Sequence, residues 1–400
     1  MSNSTNNPIF KSDEKSSSDY LYYIALLRAL AILGVIFAHL NGFINLAFGT
    51  KDVIFNLNWP IIAGKHGVTL FFLISAYTLC RSFYKRSAES KAISRYFIRR
   101  FFRIAPAYYF ILIVVFLVFG TAIDGYYEKG AEFLTLNSLW LHFTFLNSLW
   151  PAHTNNFLGV EWSTSTEFMF YFILPFLFIN LVKLKKPFHI LFGATLIYMG
   201  CLLSYFLTYY RASDIFSTYS EAHPQLFAIW SSFLITSHLH TFLLGIIAWI
   251  LLDIIKLPNK LKTAIQKAAL PIITVLIFVY VCAGYLESYY YSYRTVRFSS
   301  LIFWSVFSFS ILILSSSANL KKNKFFSHIG DLSFSLYLVH MPVFYYMTKY
   351  FSFSTITPYL FLNITFYVVS GLLTTYSLSF LLFEYIEKPG VKFGHALARK

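Results

Sequence analysis

Residues 26–42 read LLRALAILGVIFAHLNG, an apolar run broken by two ionisable side chains, Arg28 and His39. At about 100° per residue, the steps from one to the other return to within about 20° of the starting direction, and at about 1.5 Å per residue they climb about 16 Å. The two side chains therefore share one helix face at two depths. An ionisable group is expensive in a lipid-solvated helix, so each marks either function or a paired structural role. Taken singly, Arg28 can snorkel to one surface and His39 can hydrogen-bond at the other; their alignment favours a joint function. With an ordinary pKa of about 6.5, His39 can act as a general base or a general acid.

Similar apolar runs recur to the end of the chain. Of 400 residues, 57% are hydrophobic and 12% charged, against about 25% charged in a soluble domain, so lipid is the main solvent. Runs of about 20 residues match the hydrocarbon thickness. They predict an all-α, polytopic transmembrane bundle of ten spans: 21–46, 66–83, 105–122, 163–182, 188–209, 228–254, 269–287, 298–316, 332–350 and 358–384. Residues 1–20 are polar, lack the short apolar stretch of a signal peptide, and read as a disordered cytosolic tail. Residues 21–390 form the membrane domain and 391–400 a cytosolic C-terminal tail. Thr135–Trp150 is apolar but short, and reads as re-entrant or interfacial.

The net charge is +15, yet the basic residues stand in short clusters between apolar segments, which argues for orientation in a cell membrane and against nucleic acid. With the N-terminus inside, the cytoplasmic segments hold 24 of the 32 Lys and Arg residues. Making Thr135–Trp150 an eleventh span would put every second later cluster outside. The positive-inside rule thus favours ten spans with both termini in the cytoplasm. Cys80, Cys201 and Cys282 lie in or beside apolar runs, with neither disulfide nor metal spacing, and read as packing residues. No metal site is expected.

Further polar residues punctuate the spans. GVEWSTSTEFMFYFILP (159–175) carries Glu167 more than one turn into an apolar run, where a carboxylate wants a cation, a hydrogen-bond donor or a proton. Trp162, just before it, fits an interfacial aromatic. SFSLYLVHMP (333–342) brings Ser333, Ser335, Tyr337 and His340 into one segment; such groups can join helices, and His340 is a second membrane imidazole. Arg95, Arg99, Arg100 and Arg103 lead into the third span. They suit charge-side orientation and anionic lipid, or phosphate held in guanidinium forks. No Walker loop, dinucleotide fingerprint, nucleophile elbow or HExxH occurs.

Taken together, RALAILGVIFAH (28–39), GVTLFFLISAYTL (67–79), RRFFRIAPAYY (99–109), EWSTSTEFMFYFILP (161–175), SFSLYLVHMP (333–342) and IEKP (386–389) resemble the acyltransferase-3 family of integral membrane acyltransferases. The likeness runs in order through nearly the whole chain. Ala76 stands where the family commonly has Gly, and Phe334 where it commonly has Tyr.

The resemblance implies transfer of an acyl group, often acetyl from acetyl-CoA, to an extracytoplasmic carbohydrate such as a surface polysaccharide or its lipid-linked precursor. No hydrolase-like domain follows the last span, so a stand-alone membrane module is expected. Arg99, Arg100 and Arg103 would hold the phosphates of the acyl-CoA, with its arm passing Arg28 toward His39; the rise of about 16 Å matches an extended pantetheine arm. His39 would deprotonate the acceptor hydroxyl or carry the acyl group itself. Glu167 would orient an imidazole as a triad carboxylate does, and His340 would assist. Trp162, Ser163, Ser335 and Tyr337 are the candidate acceptor contacts. Acyl-CoA, a glycan or glycolipid acceptor and membrane lipids are the expected partners, beside a second copy of the chain or polysaccharide-synthesis machinery. The competing class is a proton-coupled transporter of a lipid-linked sugar or small anion.

Overall fold

The computed structural model describes residues 15–49, 64–119, 136–150, 157–215, 230–256, 295–317, 320–351 and 356–399, with scattered positions at 153–155, between 258 and 278, and at 353. Every regular element among them is helical. In chain order they are α1 (Lys15–Phe48), α2 (Gly67–Arg86), α3 (Ala92–Phe119), α4 (Leu136–Phe143), α5 (Glu161–Val182), α6 (Pro187–Ile215) and α7 (Ile235–Trp249). There follow α8 (Thr295–Ser317), α9 (Lys324–Asp331), α10 (Ser333–Tyr350), α11 (Leu360–Leu382) and α12 (Lys388–Leu397).

Eight of these helices are long and apolar enough to cross a membrane: α1, α2, α3, α5, α6, α7, α8 and α11 with its continuation. They coincide with eight of the ten expected spans. The expected span 269–287, like Cys282 and the tail up to residue 14, lies mainly or wholly outside the described residues. The remaining one, 332–350, is α10. It has 18 residues, but its Ser, Tyr, His and Lys make it too polar to face lipid. It packs between α1 and α11 and touches α3, and its Ser333, Ser335, Tyr337 and His340 are all buried. Neighbouring helices thus shield polar groups that hydrocarbon would exclude.

Thr135–Trp150 does not span: α4 has 8 residues and is followed by a short 3₁₀ turn at Asn147–Leu149. His142, Asn147 and Ser148 are buried, whereas Trp140 and Trp150 are exposed, the amphipathic pattern of a segment lying across the end of a bundle.

Helix contacts in the core rest on small residues, as in membrane bundles generally. Gly245 of α7 lies so close to Leu73 and Ala76 of α2 that a methyl group there would collide with them, and Gly330 of α9 meets Ala25 of α1 in the same way. Cys80 and Cys201 are buried free thiols, as packing residues should be.

Two helices change pitch at the end of the bundle where the basic clusters gather. α7 runs into a π-helical turn, Ile250–Ile255, and α11 into another, Phe383–Glu387. A π turn adds a residue to the helical circuit and so redirects side chains, which is why it recurs at special sites. Each turn carries an inward carboxylate to an arginine: Asp253 to Arg81 at 3.3 Å, and Glu387 to Arg103. Arg81 also donates to the Tyr77 hydroxyl at 3.5 Å, and Tyr77 shares a 2.8 Å hydrogen bond with Tyr23 of α1. Beyond its π turn the chain continues as α12, packed along α3.

Candidate active site

A narrow cleft with room for about 90 Å³ of solvent opens between α1, α2, α3, α5 and α10. Arg28, Ser75, Arg100, Arg103, Glu167 and Tyr337 are among its lining residues. The helix period that put Arg28 on the face of His39 delivers it here, within electrostatic reach of Asp331 at the end of α9.

The arginines of α3 have different surroundings. Arg99 is paired with Glu89 at 3.3 Å and does not line the cleft. Arg103 lines it but is ion-paired to Glu387, whose other oxygen accepts from Ser335 Oγ at 2.5 Å. Arg100 also lines the cleft; its guanidinium lies 5.9 Å from the Tyr96 ring centre, and its buried Nε has no hydrogen-bond partner. An arginine held this way can still bind an anion bidentately.

Glu167 Oε1 accepts from Tyr171 at 2.9 Å and from Ser75. These hydroxyls satisfy a carboxylate that the fold places on the cleft wall. Among the described residues, no imidazole is paired with Glu167.

The imidazoles meet each other instead. His39 Nδ1 and His340 Nε2 are 3.0 Å apart, and their ring centres, at 5.2 Å with an interplanar angle of 28°, have the spacing of rings joined edge to edge by an N–H···N bond. His340 Nδ1 lies 3.1 Å from the Leu336 carbonyl oxygen one turn earlier in α10. A carbonyl only accepts, so His340 Nδ1 carries a proton, and in the uncharged ring Nε2 is then an acceptor. His39 Nδ1 must donate to it, leaving a lone pair on His39 Nε2. His340 is fully buried and His39 half-buried, so the orienting ring is enclosed and the oriented ring remains accessible.

Neither histidine lines the cleft. Tyr337, one turn before His340, stands between: its ring centre is 5.8 Å from that of His340 and 6.5 Å from that of Phe71, and both Tyr337 and Phe71 form cleft wall. The Tyr337 hydroxyl donates to the Val160 carbonyl at 3.0 Å and accepts from Ser163 Oγ at 2.7 Å, clamping α10 to the start of α5. Its one proton is used, so an oxyanion could claim it only by displacing Val160. Tyr337→Phe removes both bonds, but Ser163 still reaches the Val160 carbonyl through its Oγ and its backbone N–H, each at 3.3 Å, so the loss should be about 0.5–1.5 kcal/mol, measurable as a lowered unfolding midpoint in detergent.

Two other candidates have packing partners. Ser335 is fully buried beneath the cleft, with Glu387. Trp162 stacks on Phe233 at 4.2 Å and on His238 at 5.3 Å, with Phe72 edge-on at 6.0 Å. Its indole helps to join α5, α2 and α7 and stays partly exposed.

Sequence reasoning missed the buried pair of His142 and Glu161. Glu161 accepts from the backbone N–H groups of Phe157 at 2.8 Å and Leu158 at 3.1 Å, and its Oε1 lies 3.3 Å from His142 Nε2. His142 Nδ1 faces the Ser138 carbonyl at 2.7 Å. Both imidazole nitrogens thus face oxygen acceptors. The pair fastens α4 across the end of α5.

A membrane bundle that encloses a cationic cleft and a buried histidine pair has its polar groups arranged inward, as an intramembrane catalyst or carrier requires. Comparison with known proteins decides the class. The family model described as an acyltransferase domain matches residues 21–384, and the chain belongs to this acyltransferase-3 family. It is 27% identical to the O-acetyltransferase OatA of Staphylococcus aureus over 415 aligned positions, covering 96% of this chain and 60% of that protein. The peptidoglycan O-acetyltransferase OatA of Listeria monocytogenes is 28% identical over 186 residues, 44% of this chain and 27% of that protein. ORF330 of Acidianus two-tailed virus is 26% identical over 320 residues, 80% of this chain and 82% of that protein. The chain thus spans only about 60% of the length of the staphylococcal relative. No solved structure matches.

Proposed function

We propose that this acyltransferase moves an acetyl group from acetyl-CoA on the cytosolic side of the cell membrane to a hydroxyl of a carbohydrate or glycolipid on the opposite side. The observation that carries this reading is the His39–His340 hydrogen bond near the head of an arginine-lined cleft. The names of the OatA relatives support acetyl as the group and oxygen as the acceptor atom. The positive-inside rule supports a cytosolic basic end, where Arg28, Arg100 and Arg103 face an anionic donor.

In the proposed reaction the acceptor O–H gives its proton to His39 Nε2 as its oxygen bonds to the thioester carbonyl carbon. The tetrahedral intermediate collapses by breaking the C–S bond, and the imidazolium returns the proton to the leaving thiolate. His340 keeps the Nε2 lone pair available, the orienting part that a carboxylate plays in a serine triad. Burial of two uncharged rings costs far less than burial of a charged one, so the base rests in its working form. The thioester must pass the constriction of Phe71 and Tyr337 to reach it.

Purified full-length protein in lipid nanodiscs, given acetyl-CoA labelled in the acetyl group and candidate surface glycans, should produce an alkali-labile labelled ester on the glycan. Uptake of a lipid-linked sugar or small anion into vesicles, with no acyl-CoA-dependent labelling, would establish the transporter instead. Label on the protein in the absence of acceptor that is labile to hydroxylamine and missing in His39→Ala would identify His39 as an acyl carrier.

A further inference from the structure

We propose that the C-terminal helix α12 completes a binding subsite for the phosphate-rich nucleotide end of the acyl-CoA, with His395 and Arg399 acting beside Arg86 and Arg100. The inference rests on the donor assignment above and goes beyond it by naming where the nucleotide sits and which helix holds it.

The residues of α12 are placed there by construction of the fold. The π turn ending at Glu387, anchored through Arg103, directs the chain back along α3. Gly390 and Gly394 let the two helices approach, since side chains at these positions would run into Pro106 and Phe102. Phe393 stacks edge-on against Phe102 at 5.0 Å. This docking puts His395 within electrostatic reach of Arg86, Arg99, Arg100 and Arg399.

Among these groups one carboxylate, Glu89, answers the charge, 3.3 Å from Arg99 and 3.9 Å from Arg86. A fold that docks basic groups against one another works against Coulomb repulsion, and an arriving polyanion would remove that cost. Arg100 supplies the second observation: its Nε is buried without a hydrogen-bond partner, and its side chain lines the cleft. The basic cluster and the cleft therefore meet at one residue.

Coenzyme A has the corresponding division. Its 3′-phosphate and diphosphate are compact and anionic, and its pantetheine arm is slender and nearly uncharged. With the phosphates between α12 and the start of α3, the arm enters past Arg100 and Arg28 toward the histidines. Anionic lipid headgroups share the phosphate chemistry, so the experiment must separate the two sources.

Binding of coenzyme A, phosphopantetheine and phosphatidylglycerol vesicles is measured for the full-length protein and for His395→Ala/Arg399→Ala. The double variant should bind coenzyme A about tenfold more weakly, about 1.4 kcal/mol, with phosphopantetheine, which lacks the nucleotide, binding as in the wild type. His395→Lys/Arg399→Lys should restore coenzyme A binding. An unchanged coenzyme A affinity, an equal loss for phosphopantetheine, or a loss confined to the vesicles would each overturn the subsite while leaving the donor assignment standing. A wild-type protein that binds phosphatidylglycerol vesicles but neither coenzyme A nor phosphopantetheine would overturn the donor assignment itself.

Discussion

Replacing His39 with alanine should lower acyl transfer by about 10²–10⁴-fold while the protein still inserts and folds. The expectation follows from hydrogen-bond accounting. His340 is fixed by the Leu336 carbonyl and can only accept from His39, so the free nitrogen of His39 is the basic one. The site offers no substitute close by: Glu167 is occupied by Ser75 and Tyr171, and the Tyr337 proton is held by Val160. His39→Gln provides a sharper control. Its amide N–H₂ can still donate to His340, which keeps the local bond, but no lone pair of comparable basicity remains. Both variants should lose turnover together, whereas only alanine should lower the unfolding midpoint. His340→Ala tests the orienting role: His39 survives but can take the wrong tautomer, so kcat should fall by less than in His39→Ala, with donor affinity retained. Full turnover in a well-folded His39→Ala protein would remove the imidazole from the reaction.

The sequence made some of this legible and hid the rest for identifiable reasons. Arg28 and His39 could be placed on one face because a single helix fixes the angle between them. The partner of His39 stands 301 residues away, and nothing local to either segment specifies which polar groups meet. Glu167 shows the same limit in part: its depth in a span and its partner Tyr171 one turn away on the same helix were within local reach, but Ser75 comes from α2, a neighbour chosen by packing. The polarity of α10 was visible as SFSLYLVHMP, yet only its enclosure by α1, α3 and α11 explains how the membrane tolerates it. Both π turns were out of reach, since LLDII and FEYIE read as ordinary helix. Each forms where an inward carboxylate gains an arginine, a tertiary reward that periodicity does not encode. The basic residues preceding the third span were read as one group, whereas Arg99, Arg100 and Arg103 have three different environments because successive α-helical positions point about 100° apart.

Arg103 and Glu387 should be the most sensitive pair in the molecule when broken and far less so when removed together. Glu387 is fully buried and receives Arg103 on one oxygen and Ser335 on the other. It therefore ties α3, α10 and the end of α11 at a single point. Arg103→Ala leaves that carboxylate in the interior with one hydroxyl for company, and loss of one partner of a buried pair costs about 3–5 kcal/mol. Glu387→Ala should fall at the lower end of that range, because the Arg103 side chain keeps 28% of its exposure and reaches the cleft, where water can solvate it. Arg103→Met/Glu387→Met removes both charges and fills much of the space, so its unfolding midpoint in detergent should lie well above that of either single alanine variant. Additive losses in the cycle would mean that the two side chains act separately. The double-methionine protein should nevertheless bind coenzyme A poorly, because α12 hangs from this junction and Arg103 is itself cleft wall. Stability restored without donor binding would thus separate two duties of one residue: holding the C-terminal helix in place through Glu387, and, on the proposed reading, meeting the donor with the surface that lines the cleft.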